Sequence, residues 1–388
     1  MPFYYRLKGL DSKTRKRVVE GIRALRHGLK SNGVPERNLE RTALVATWNI
    51  REFDAAKFGP RSRESFYYIA EIISHFDVVA VQEVREDLAA LDEVQDILGG
   101  WWKRIVTDVT LGASGNGERL AFLYDSRKVA FTGLAGEIVL PDQKREPVLQ
   151  FARTPFVCGF KAGWSTFSLC TVHIYYGKST RDDPRRVREI QELAKRLAAR
   201  GKADPRRISE PENLVLLGDF NIFSRDDVTF QSLVREGFEV PPALQSIPGS
   251  NVKKDKHYDQ IAVMSRPGRF GLTGRAGVFD FYEYVFRFDE EETYAALMPP
   301  AGKKVGFSQW RTFQMSDHLP MWCELEMDFS DAYLQDLSRG EDVEPPETAV
   351  VRTVTPRKIA TATRRKSTKK IAKKTGKRAR KKAAKRAR

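Results

Sequence analysis

ALVATWNIREF at residues 43–53 and DVVAVQEVRED at 77–87, with RSRESFYYIAEIISHF (61–76) between them, decide the fold class. ALVATW (43–48) is an apolar run of strand length that reads as a buried strand, and DVVAVQ (77–82) is a second. From Ser62 to His75 the apolar residues fall at helical spacing, with Phe66, Ile69, Ile73 and Phe76 on one face. Strand, helix, strand is the local pattern of an α/β layer.

The pattern extends in both directions. LAFLYD (120–125), TFSLCTVH (166–173), NLVLLGDF (213–220), YDQIAVM (258–264) and PMWCELEM (320–327) read as further strands. A helix from Pro184, a residue suited to a first turn, to Arg200 separates the second and third of these. Upstream, residues 11–30 read as an amphipathic helix carrying Val18, Ile22, Leu25 and Leu29. Asp11 or Ser12 caps its start, Gly33 lies just past its end, and its apolar face is expected to pack on the main domain. The chain thus divides into a helical extension (1–40), a main domain (41–330), and a linker with a tail (331–388).

Charge separates the last segment from the rest. Residues 350–388 hold 18 Lys/Arg and no Asp or Glu, leaving 49 basic against 51 acidic residues in positions 1–349. The whole excess of +16 belongs to the tail. Such a block cannot offset its ordering entropy and is expected to be disordered when free. Its lysines and arginines suit nucleic-acid phosphates, through counterion release, and it has no apolar face for a bilayer. Three scattered cysteines, Cys158, Cys170 and Cys323, argue against a disulfide framework or a structural zinc. With no apolar leader and no membrane-length run, the expectation is an intracellular, cytoplasmic, monomeric protein associated with nucleic acid.

Chemistry-bearing residues sit at the ends of the apolar runs. Asn49 follows the first strand and Glu83 the second; His173 and then Asp219 with Asn221 follow later ones, and Asp317 and His318 precede the last. Ligand sites in α/β sheets gather at strand ends, so residues distant in sequence can converge. Carboxylates and an amide are oxygen ligands for a hard cation, and histidines move protons near neutral pH. There is no P-loop, GxSxG or HExxH, which excludes the motif-based nucleotide-triphosphate, serine-hydrolase and zincin readings. Alone, GDFN (218–221) is as readily a turn as a site; the ordered set carries the inference.

TWNIREF (47–53), VQEVRED (81–87), GERLAFLYD (117–125), FARTPFV (151–157), TVHIYYG (171–177), GDFN (218–221), YDQIAV (258–263) and SDHLP (316–320) occur in an order that resembles the endonuclease/exonuclease/phosphatase superfamily, most closely its deoxyribonuclease I-like branch. The resemblance spans about residues 43–328. It implies an α/β four-layer sandwich, two packed β-sheets flanked by helices, where periodicity alone gives only α/β. It implies a Mg²⁺-dependent phosphodiester hydrolase, with Mn²⁺ or Ca²⁺ as alternative ions, read here as a DNA endonuclease with RNA as the alternative substrate. Glu83, Asn49 and Asp317 are then the implied metal ligands. Asp219 and Asn221 would meet the scissile phosphate, with His173 and His318 as acid and base, backed by Glu118 and Asp259. Arg51, Arg85, Arg119 and Arg153 match nucleic-acid-facing positions. Read without the resemblance, Glu118 is a loop charge and Asp259 a turn residue at a strand start. The competing functions are a phosphodiesterase or phosphatase on a lipid or small phosphate ester, and a nucleic-acid-binding protein with a vestigial site. The tail resembles linker-histone tails and favours nucleic acid.

Overall fold

A computed structural model describes residues 2–53, 59–110, 117–141, 149–201, 213–265, 270–299 and 305–340 of the chain. The strands are β1 (Thr42–Phe53), β2 (Val78–Arg85), β3 (Trp102–Val106), β4 (Glu118–Asp125), β5 (Ala130–Glu137), β6 (Phe156–Ala162), β7 (Ser165–His173), β8 (Leu214–Asp219), β9 (Asp259–Met264), β10 (Gly271–Val278) and β11 (Met321–Glu326). They form one six-stranded sheet, ordered β10-β11-β1-β2-β4-β3, and one five-stranded sheet, ordered β5-β6-β7-β8-β9. Each sheet has one parallel pair at its centre, β1 with β2 and β7 with β8. All other pairings are antiparallel.

Side-chain alternation along β1 and β2 explains the four layers. Ala43, Val45, Val78 and Ala80 point into a core shared with Phe160, Leu169, Val172 and Leu214 of the other sheet. Leu44, Ala46, Trp48, Val79 and Val81 point outward into a second core, closed by Val18, Ile22, Leu25, Ile69 and Ile73 of the helices Ser12–Ser31 and Arg63–Ser74. Both faces are covered, so these strands read as continuous apolar runs rather than alternating ones. The helix Pro184–Gly201 covers the five-stranded sheet with Ile190, Leu193 and Leu197.

Local signals set the helix starts. Asp11 accepts from the Thr14 amide at 2.9 Å, and Ser62 Oγ accepts from the Ser65 amide at 3.2 Å. Gly33 sits at φ 76°, a left-handed conformation suited to glycine after a helix. The N-terminal helix joins the layer covering β1 and β2, with Arg17 and Glu64 paired at 2.7 Å. The helix Ser330–Ser338 occupies the start of the segment that the sequence assigns to the linker. The Lys/Arg-rich tail lies outside the described residues. Among the described residues no helix is long and apolar enough to cross a membrane.

Candidate active site

The central parallel pairs bring the ends of β1, β2, β7 and β8 to one rim. There the regular ladders break. The β1–β2 register shifts between Asn49 and Phe53, and the β2–β4 register shifts between Val81 and Val84. Bulges of this kind re-aim side chains at strand ends. Three non-glycine residues at this rim have left-handed backbones, Glu52 (φ 42°), Glu83 (φ 61°) and Asn221 (φ 53°). Strained backbone of this sort clusters at functional sites. In the other sheet, register places His173 beside Asp219 and Asp219 beside Asp259. Gly218 has φ 138°, and a Cβ there would lie 2.2 Å from the Val172 carbonyl oxygen, so β8 approaches β7 closely because this position is glycine.

These ends line a cleft of about 680 Å³. Asp219 is its hub. Its Oδ2 lies 3.5 Å from His173 Nε2 and 3.8 Å from His318 Nε2, and accepts from Asn49 Nδ2 at 3.0 Å. Its Oδ1 accepts from the Asn221 amide at 2.9 Å, and Asn221 Nδ2 donates to the Ile174 carbonyl at 2.8 Å. Each histidine is backed by a carboxylate on its far nitrogen: His173 Nδ1 is 2.9 Å from Glu118 Oε2, and His318 Nδ1 is 2.8 Å from Asp259 Oδ2. The His318 pair is a hydrogen bond that fixes the tautomer, whereas His173 Nδ1 meets Glu118 as an ion pair outside hydrogen-bond alignment; a carboxylate this close raises the basicity of either ring. Ser250 Oγ donates to Asp259 at 2.7 Å, and Ser316 Oγ donates to the Asn49 carbonyl at 2.6 Å, joining the Ser316–His318 turn to β1. Ser316 opens the SDHLP motif, whereas Ser250 lies outside every motif the sequence reading used.

The electrostatics follow from this burial and pairing. Burial works against a charged Glu118, but His173 and Arg153 together hold its pKa at about 2. Burial and the Arg153 guanidinium oppose the His173 imidazolium, yet Glu118 and Asp219 outweigh them and raise its pKa above the ordinary value. Burial is likewise outweighed at His318, where Asp259 and Asp219 hold the imidazolium well above that value. Glu83 is pushed up by burial and by the Glu118 and Asp317 carboxylates. Glu118→Gln removes the main charge favouring the His173 imidazolium and leaves Arg153 uncompensated. The His173 pKa is therefore expected to fall, moving to lower pH whichever limb of the kcat/KM profile it controls. The profile and an NMR titration of His173 check this; an unmoved titration contradicts the pairing.

Two donor groups have the chemistry for a hard cation. Glu83 Oε1 accepts from Asn49 Nδ2 at 2.9 Å and Glu83 Oε2 from the Glu52 amide at 2.8 Å. Asn49 Oδ1 is buried without a hydrogen-bond partner, and Asp317 lines the same cleft. An orphaned buried acceptor beside carboxylates fits an oxygen-seeking ion. The second group is Asp219, Asp259 and His318, whose ligand atoms lie within 4.8 Å of one another. In it the His318–Asp259 hydrogen bond engages His318 Nδ1 and Asp259 Oδ2, while Asp259 Oδ1 is buried without a hydrogen-bond partner.

The four arginines part company. Arg51, Arg85 and Arg153 line the cleft. Arg51 is held by Thr312 at 2.6 Å, by the face of Phe313, and 3.6 Å from Asp317. Arg153 is buried and donates twice to Glu118, at 3.0 and 3.1 Å, so its first task here is to orient that carboxylate. Arg119 lies apart from the other three. It follows the inward-facing Glu118 on β4, so it turns to the other face, donates to the Thr107 carbonyl at 2.7 Å and does not line the cleft. Glu52, Tyr176 and Tyr258 line the cleft although the sequence reading did not single them out.

The Endonuclease/Exonuclease/phosphatase family matches the chain over residues 46–295. No curated protein sequence matches it. Among solved structures, the human Nocturnin catalytic domain with bound sulfate anion is 14% identical with a TM-score of 0.51, covering 75% of this chain and 97% of that one. An endonuclease/exonuclease/phosphatase family protein from Bacteroides thetaiotaomicron is 16% identical (TM-score 0.46; 75% and 97% covered). D. rerio TDP2 complexed with a single-strand DNA product is 11% identical (TM-score 0.47; 73% and 98% covered). At these identities the likeness is one of fold.

Proposed function

Since the chain belongs to the endonuclease/exonuclease/phosphatase family, whose members hydrolyse phosphoester bonds, we propose that it is a divalent-cation-dependent nuclease, with DNA as the favoured substrate. The observation that carries this reading is Asp219 Oδ2 between two histidine Nε2 atoms, each imidazole backed by its own carboxylate. A phosphate placed over Asp219 and Asn221 meets both imidazoles. One, neutral, takes a proton from the attacking water as its oxygen bonds phosphorus. The other, protonated, gives its proton to the leaving oxygen as the phosphoester bond breaks. Their raised pKa values suit the proton-donating role, and Glu118 stays ionised throughout the working range to support His173. Glu83 and Asn49, with Asp317, would hold the cation. Bound there, the ion supplies Lewis-acid stabilisation of charge on the phosphoryl oxygens.

The choice of nucleic acid over a lipid or small ester rests on the tail, since one fold serves all these substrates. Turnover of plasmid DNA, RNA and a choline lipid, each with Mg²⁺ or EDTA, separates the readings. DNA cleavage only with Mg²⁺ supports the proposal; turnover of the lipid alone overturns it. Removal of residues 341–388 leaves every side chain of the cleft in place. Affinity for long duplex DNA is then expected to fall and its salt dependence to flatten, while kcat on a short oligonucleotide survives. For a tail that neutralises about six phosphates, its removal flattens the log–log salt slope by about 5. An unchanged slope in a binding titration removes the tail as the anchor.

A further inference from the structure

Beside the catalytic groups, the cleft wall is aromatic. Tyr176 stacks on Phe223 with centroids 6.0 Å apart and planes 26° apart, and Tyr258 meets both rings edge-on, at 6.2 and 5.5 Å. Tyr258 in turn lies 5.5 Å from the His318 ring, so the aromatic group adjoins the site of proton transfer. Phe223 is buried, whereas Tyr176 is 37% exposed and lines the cleft. Tyr176 is also held rigidly. Its hydroxyl is 2.7 Å from Ser179 Oγ, and its carbonyl accepts from the guanidinium of Arg186. Arg186 is fully buried and donates as well to the carbonyls of Tyr175 and Thr180, each at 3.2 Å. A large ring kept exposed and immobile at a catalytic centre is a preorganised contact surface rather than core.

We propose that Tyr176 is the stacking platform for an unpaired nucleobase next to the scissile phosphate. The inference rests on the nuclease reading above and narrows it to substrates that offer an unstacked base.

The alternative use of an aromatic wall is to hold the quaternary ammonium of a choline lipid. Two cations stand against it. The Arg186 guanidinium lies 4.8 Å from the Phe223 centroid and 5.8 Å from that of Tyr176, and Lys256 Nζ lies 5.2 Å from Phe223. Their positive charge beside the aromatic group repels a further cation. A neutral base attached to an anionic phosphate suits the same surroundings. Base-on-aromatic stacking is strong enough to matter and tolerant of sequence. Inside a duplex both faces of a base are taken by its neighbours, so a base reaches Tyr176 from a single strand, a gap, an end or a transiently melted stretch of supercoiled duplex.

The test uses the full chain and a single-stranded oligonucleotide in which every linkage but one is a phosphorothioate. The residue on either side of the remaining phosphodiester is a normal nucleotide or an abasic tetrahydrofuran. The wild type is expected to favour the base-bearing substrate by about tenfold in kcat/KM on one side of the linkage. That preference should vanish in Tyr176→Ala and survive in Tyr176→Phe. A preference that persists in a folded Tyr176→Ala, or none in the wild type, overturns the platform while leaving the nuclease reading standing. Absence of any nucleic-acid turnover by the wild type, with a lipid or small ester hydrolysed instead, overturns both.

Discussion

Glu83→Gln is expected to abolish cation-stimulated hydrolysis and to weaken Mg²⁺ binding, measured by calorimetry, without changing the circular-dichroism spectrum. The substitution keeps the volume and one acceptor oxygen but removes the negative charge beside the orphaned Asn49 Oδ1. A Mg²⁺ site requires only one or two carboxylates besides water and substrate phosphate, so the loss of one is not compensated. Glu83 also closes the Glu52 turn by accepting its amide at 2.8 Å, and the glutamine oxygen retains one of the two bonds that Glu83 makes. Full activity and unchanged Mg²⁺ affinity in the variant would remove the metal from this position.

His173→Ala and His318→Ala are each expected to lower kcat by about 10²-fold or more, the usual scale of general acid–base catalysis. Both side chains approach the same Asp219 oxygen, and each is backed by a carboxylate of its own. If they act as a unit, as the proposed mechanism requires, the double variant should lose less than the product of the single losses. Single-turnover rates of the three variants supply the comparison. Near-normal turnover of either single variant contradicts a two-histidine mechanism.

The fold was legible where burial on both faces wrote continuous apolar runs, as in ALVATW and NLVLLG. It was not legible at three edge strands, β3, β5 and β10, nor at the interior strand β6 (FVCGFKA), whose apolar run is broken by Gly159 and Lys161. Strand β5 (AFTGLAGE) is almost wholly exposed, and β10 (GLTGRAGV) carries three glycines, so neither shows an apolar pattern. Strand β3 is also an edge and only five residues long. In the site, Asn49, Glu83, His173, Asp219 and His318 could be singled out because each ends or begins an apolar run. Glu118 and Asp259 could not. Their meaning lies in contacts with His173 and His318, 55 and 59 positions away, which leave no local mark. Arg119 shows the converse. Adjacent residues on a regular strand face opposite ways, which accounts for Glu118 lining the cleft while Arg119 does not.

The proposed function stands on hydrolysis of a nucleic-acid phosphodiester by the paired histidines around Asp219. It is tested most directly by following supercoiled plasmid DNA with the purified full chain in Mg²⁺, beside the same chain in EDTA and a folded His173→Ala, His318→Ala double variant. The account predicts nicked and linear DNA with the wild type in Mg²⁺, and none above background with EDTA or the variant. Cleavage of equal rate by the double variant, or an intact plasmid under all three conditions while a lipid or sugar phosphate is hydrolysed, would contradict it.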